Sequence, residues 1–291
     1  MTAARALGLF LIGGAVIAGT VLDRVPVEGP PRAGDQFVLA ADFHVHAFVG
    51  DGGVPPWELG REARRRKLDV IVVSNHNQLL AARLSALGSR FYGADQNALI
   101  IPAEELTAPG FHMVAAGITR TIDWRLPAAQ AVAAIHQQGG VAIAAHPGRV
   151  HWPAFDDEAR RLLDGSEAAH PAGRRFADAR SEMTEFYQRS AALNPTLAPI
   201  GSSDFHFGAT LGECRTYVFA DAFSTAGVLD AIRRGSTVAS DGHGTLTGDP
   251  ARVEIVRALL AADPPPLRPS WPSRIAGYLS VLGILILLLW K

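Results

Sequence analysis

Short apolar runs recur along the chain, many of them rich in valine, isoleucine and alanine, and alternate with stretches where apolar residues return every three or four positions. The first pattern predicts buried strands and the second predicts amphipathic helices. Strands are expected at 37–43, 69–74, 98–102, 112–118, 141–145, 183–187, 197–202, 216–219 and 236–239. The run DVIVVS at 69–74 is continuous and β-branched, which predicts a strand covered on both faces. Helices are expected at 57–67, opened by Pro55-Pro56, at 79–87, at 127–138, closed by Gly139-Gly140, and at 224–234. This alternation predicts an α/β fold with parallel strands and covering helices. This many strands in one unit suit a barrel better than an open sheet.

The two ends differ from this pattern. Residues 6–22 form an uncharged apolar run between Arg5 and Asp23-Arg24, at the short limit for a membrane span. A signal-peptide core is the alternative, but no small-x-small cleavage site follows, which favours an uncleaved anchor over residues 1–24. Residues 25–36 (with PVEGPPRAGD) read as a linker, 37–249 as the barrel, and 250–272 as a helix and proline-rich linker. Residues 273–291 read as a C-terminal transmembrane helix, its apolar run 275–290 bracketed by Trp271 and Trp290. With both ends in the membrane, Arg5 and the terminal amine favour an inside N-terminus and a core outside the cytoplasm. Arg268 and Arg274 against Lys291 argue the other way, and the first segment decides the expectation.

Composition narrows the classes. The 291 residues are 48% hydrophobic with net charge −1, enough for one large domain or two small ones and with no pull toward nucleic acid. Oligomeric state is left open. Cys214 is the single cysteine, so an intrachain disulfide is excluded. Lysine is restricted to Lys67 and Lys291. The basic stretch Arg61 to Lys67 reads as a solvated helix face, or as a contact for anionic headgroups. Residues 150–180 are irregular, with a helix expected at 155–163, and read as a surface insertion or a lid.

The candidate chemistry stands at strand ends. His44 and His46 close the first barrel strand, and side chains at i and i+2 of a strand point the same way, toward one divalent ion. Asp51 follows on the next loop. Ser74-Asn75-His76, Pro102-Ala103-Glu104-Glu105, His112, Ala145-His146-Pro147 and Ser202-Ser203-Asp204-Phe205-His206 repeat the theme. In a parallel barrel the carboxyl ends of the strands share one face, so these side chains are expected around one metal centre.

The series DFHVH-x4-DG, SNHN, IPAEEL, AHP and SSDFH resembles the motifs of the PHP (polymerase and histidinol phosphatase) family of metal-dependent phosphoesterases, over about residues 37–239. The resemblance implies a distorted (β/α)7 barrel with two or three divalent ions, and the histidine-rich donor set allows zinc, manganese or iron. It implies His44, His46, Asp51, His76, Glu105, His112, His146, Asp204 and His206 as ligands, with Glu105 bridging. It also implies hydrolysis of a small phosphoester by water activated between the ions. Asn75 departs from the family's usual aspartate and is expected to alter the setting of His76. Arg149 is a candidate phosphate contact, and His243 a candidate acid or supporting residue. An amidohydrolase is the rival reading, but its usual carboxylated lysine has no counterpart at Lys67 or Lys291. A metal-binding module without turnover is the third.

Overall fold

In the computed structural model, residues 2–22, 29–92, 97–262 and 271–290 are described. After helix α1 (Ala3–Leu22) come strands β1 (Arg32–Ala33) and β2 (Gln36–Val45). A 3-10 turn (Pro56–Glu58) leads to α2 (Leu59–Arg65), then β3 (Val70–Val73), α3 (Leu80–Tyr92), β4 (Leu99–Ala108) and β5 (Phe111–Ala116). The chain continues through α4 (Ala128–His136), β6 (Val141–Ala144), α5 (Asp157–Leu162), β7 (Gly165–Ala169), α6 (Ala172–Arg175) and α7 (Ala177–Leu193). It ends with β8 (Ala198–Gly201), β9 (Arg215–Ala220), α8 (Thr225–Arg233), β10 (Thr237–Ser240), β11 (Leu246–Gly248), α9 (Pro250–Ala262) and α10 (Trp271–Leu289).

The strands form one sheet in the order β11-β10-β9-β2-β3-β4-β5-β6-β7-β8. Its two flanks draw together: Thr216 Oγ1 donates to the carbonyl of Gly201, and Thr237 Oγ1 to that of Pro199. The sheet is therefore nearly closed. It is mixed rather than wholly parallel, because β4-β5-β6 and β2-β9-β10-β11 are antiparallel. The cause of the first departure is local. β4 runs beside β3 in parallel as far as Pro102, then pairs antiparallel with β5 across a tight turn at Pro109-Gly110. Gly110 takes φ of 90°, which a side chain would resist.

Alternate residues along the strands divide two apolar layers. Leu39, Ala41, Val70, Val72, Ile143 and Val218 fill the interior, and Val228, Leu229 and Ile232 of α8 pack into the same cluster. That helix thereby stops one end of the barrel and leaves the other free for a site. Each fully buried aliphatic side chain contributes about 1.5–3 kcal/mol.

Three sequence expectations change. Residues 183–187 are part of helix α7, whose buried residues Met183, Phe186 and Ser190 recur at helical spacing; a five-residue window is too short to show that period. Residues 150–180, read as irregular apart from a helix at 155–163, supply α5 there and also strand β7 and α6. The basic stretch on α2 is not a solvated face: Arg61 and Arg65 are buried, and Arg64 pairs with Asp69 at 2.8 Å.

The ends are helical, but among the described residues no helix is long and apolar enough to cross a membrane. The expected spanning anchors are therefore unsupported. The flanks Asp23-Arg24, the proline-rich stretch 263–270 and Lys291 lie outside the described residues. The two helices pack against each other. A side-chain carbon on Gly8 would meet Leu287 and the carbonyl of Gly283, and one on Gly283 would meet Ile12, so the helices run antiparallel in close approach. Trp57 Nε1 donates to Ser280 Oγ, which ties α10 to the segment before α2.

Candidate metal centre

His44 and His46 leave the end of β2 on one side, both fully buried. Their Nε2 atoms face Glu105 Oε2, at 3.2 and 3.5 Å, and Asp204 Oδ1, at 3.2 and 3.3 Å. All four atoms are buried, and none has a hydrogen bond. Buried polar atoms are ordinarily bonded, so four converging without partners need an explanation. Donors about 2.0–2.2 Å from a shared tetrahedral ion stand about 3.3–3.6 Å apart, the spacing found here. The residues fit a divalent metal.

A second group lies beside it. Asp51 Oδ2 is 3.1 Å from His76 Nε2 and 3.2 Å from His206 Nε2, while Asp51 Oδ1 is 3.1 Å from His46 Nδ1. These four side chains can hold an ion together. A third group forms on the far side of Glu105, whose Oε1 is 2.9 Å from His112 Nδ1 and 3.1 Å from His146 Nε2. His112 and His146 also form a group with His151 that could hold an ion. Glu105 thus faces imidazoles with both oxygens, as a bridging carboxylate would. Glu104, its neighbour on β4, points the other way and accepts a hydrogen bond from the amide of Ile122.

The structure brings all nine expected ligands into these three groups. Charges set their protonation. Burial would raise the Glu105 carboxyl, but the His44 charge and bonds from His112 and His146 hold it well below the usual range. Burial would lower His44, but Asp204, Glu105 and Glu167 hold it well above the ordinary histidine value. A bond from His46 lowers Asp51. His146 and Asp204 both take positive φ, 28° and 46°, a backbone strain that concentrates at functional sites.

Two supporting residues were not singled out in the sequence. Glu167 on β7 accepts from His44 Nδ1 at 2.9 Å, and from the His146 amide and the Ser202 hydroxyl. Its pKa falls to about 2, because the charge and bond of His44 outweigh its burial. His170 accepts from the Ala172 amide through Nδ1, which leaves Nε2 to face Asp204 Oδ2 at 3.4 Å. The signal was present: Ala168-Ala169-His170-Pro171 repeats the Ala144-Ala145-His146-Pro147 that ends β6. From below, Asp42 accepts from the amides of Ser203, Gly212 and His44 and fixes the loop carrying Asp204.

The remaining candidates sit differently. The Asn75 carboxamide accepts from the Ala47 amide at 2.9 Å and donates to the Ala47 carbonyl at 3.0 Å. It therefore clamps the loop after β2. The Arg149 guanidinium is exposed and pairs with Glu182 at 3.5 Å and Glu185 at 3.1 Å on α7. His243 is exposed, its amide bonded to Asp241, and it joins none of the three groups.

The family described as PHP-associated matches residues 188–237, which include Asp204 and His206. The structure is similar to a two-domain protein containing a predicted PHP-like metal-dependent phosphoesterase from Bacteroides vulgatus, with TM-score 0.61 and 22% identity. That likeness covers 83% of this chain and 74% of the other. A putative metal-dependent phosphoesterase from Bifidobacterium adolescentis follows, with TM-score 0.46, 18% identity, and 64% and 93% of the two chains covered. An amidohydrolase from Chromobacterium violaceum, with bound sulfate and no metal, has TM-score 0.42, 16% identity, and coverage of 57% and 87%. No curated protein matches. The chain thus carries a PHP-associated segment within a nearly closed α/β barrel of PHP-like fold.

Proposed function

We propose that the protein is a metal-dependent phosphoesterase acting on a phosphomonoester or a small phosphodiester. The observation that carries this reading is Glu105, whose two oxygens meet histidines of adjoining ligand groups at one barrel mouth. Divalent cations, if bound there, would lower the pKa of a water toward ~7 and offset phosphate charge. The chain's own residues supply the rest. Glu105, Asp51 and Asp204 give the anionic donors that several cations need, and Glu167 sets the tautomer and direction of His44. Among the described residues an amidohydrolase-type lysine bridge has no candidate. Lys67 follows α2, and Glu105, with histidines facing both of its oxygens, stands where a bridging carboxylate would. Arg149 would contact a substrate phosphate by leaving Glu182 and Glu185, a role that rests on its position three residues after His146.

The test is hydrolysis. The full chain, loaded with manganese or zinc, is assayed against a panel of phosphomonoesters, phosphodiesters and amides. Turnover of phosphoesters that disappears in Glu105→Ala is the expected result. A metal-loaded protein that turns over none of them would leave the metal-binding module as the correct description.

We also propose that the paired terminal helices hold the barrel at a lipid surface. Supporting this, the large apolar side chains of Phe10, Ile17, Leu288 and Leu289 are exposed on the pair, and apolar groups gathered on a surface mark contacts with protein or membrane. Flotation with phosphatidylcholine–phosphatidylglycerol vesicles tests it. Protein that remains at the bottom of the gradient would refute it.

A further inference from the structure

His151 lies on the 3-10 turn Arg149–His151, five residues past His146. The turn is held from three directions. Trp152 Nε1 donates to the Pro147 carbonyl at 2.6 Å, the Arg149 amide donates to Glu182 at 2.8 Å, and the His151 amide closes the turn on Gly148 at 2.8 Å. So held, the turn folds the His151 ring back over the site. Its centroid is 4.4 Å from that of His112 and 5.2 Å from that of His146, with rings inclined at 41° and 69°. One nitrogen from each of the three lies within 4.8 Å of the others.

We propose that His151 is a protein ligand of the third metal position, together with His112 and His146. This rests on the metal-centre reading above and extends it. An ion at this position would be held by three imidazoles beside Glu105, whose Oε1 faces His112 and His146. Histidine is uncharged as a ligand, so the site gains a donor without further negative charge.

The full-length protein, its His151→Ala variant and its His151→Asp variant are loaded with Co2+ or Zn2+. Bound metal is counted by elemental analysis across a chelator series, and the Co2+ forms are compared by visible absorption. The wild type is expected to bind an ion at this position and to release it at a defined chelator concentration. His151→Ala should lose that ion at a chelator concentration at least about tenfold lower, with loss of the strong absorption of four-coordinate cobalt. His151→Asp, which keeps a donor, should recover retention. Identical retention curves and spectra for wild type and His151→Ala would overturn the proposal, as would a wild type that binds no metal. Hydrolysis is read separately. A protein that keeps the retention difference but cleaves no phosphoester contradicts the phosphoesterase reading and leaves this one standing. Cleavage with no retention difference does the reverse.

Discussion

Glu167 and His44 are 123 residues apart in sequence, and a carboxylate oxygen of the first lies 2.9 Å from Nδ1 of the second. Both are fully buried. The contact directs Nε2 of His44 toward Glu105 and Asp204, so a residue with no place among the metal ligands decides where one of them points. Such partners fix ring orientation and raise ligand basicity, and their loss costs about 10–100-fold in metal affinity. Glu167→Gln should therefore weaken metal binding by about that factor, measured by titration calorimetry on protein whose circular dichroism is unchanged. Affinity equal to wild type would make Glu167 a packing residue only.

Removing metal should loosen the fold. The four unpartnered buried atoms of the first group then face one another without an ion. A ligand present at about 100–1,000 times its Kd adds about 2.7–4.1 kcal/mol to stability. Chelation should lower Tm by several degrees, and manganese or zinc should restore it. His44→Ala and Glu105→Ala should lose metal and phosphoester turnover together. A variant binding less than one ion yet retaining turnover would contradict the metal mechanism.

Asn75 makes a prediction of its own. Its carboxamide both donates to and accepts from the backbone of Ala47, and a carboxylate can only accept. Asn75→Asp should place two oxygens against each other and cost about 1–3 kcal/mol, seen as a lower Tm at neutral pH. An unchanged Tm would show that the loop after β2 readily finds another arrangement.

Glu104 should make stability fall with pH. Burial pushes its pKa up to about 7 against the single lowering bond from Ile122, while an unfolded glutamate titrates near ~4.3. Between these values the folded chain holds more protons than the unfolded one. Its contribution is therefore complete below ~4.3, declines as pH rises, and is lost above about 7. Glu104→Gln should flatten this slope in a series of thermal melts and raise Tm at pH ~8 by a few degrees. Equal slopes in the two proteins would remove Glu104 as the cause.

The sequence by itself determined which chemistry the chain can carry. His44-x-His46 alternates on a strand, so both rings must share a face whatever surrounds them, and short β-branched runs such as 69–74 are buried wherever they lie. Strand ends carrying histidine or carboxylate were legible for the same local reason. Long-range partners were not. Glu167, His170 and His151 lie in 150–180, where Pro153, Pro171 and scattered charge mask the periodicity, and their importance depends on what stands opposite them. The choice of Glu105 over Glu104 became physical only when β4 ran through Pro102 into its antiparallel half and pointed the two carboxylates to opposite faces. Arg149 shows the converse: its spacing after His146 suggested a phosphate, and tertiary structure placed Glu182 and Glu185 beside it. The terminal runs show it too, since apolarity along the chain says that water is avoided, and the Gly8–Gly283 approach says what each helix packs against. Local pattern settles which face a side chain takes; only the closing of the sheet settles what it meets there.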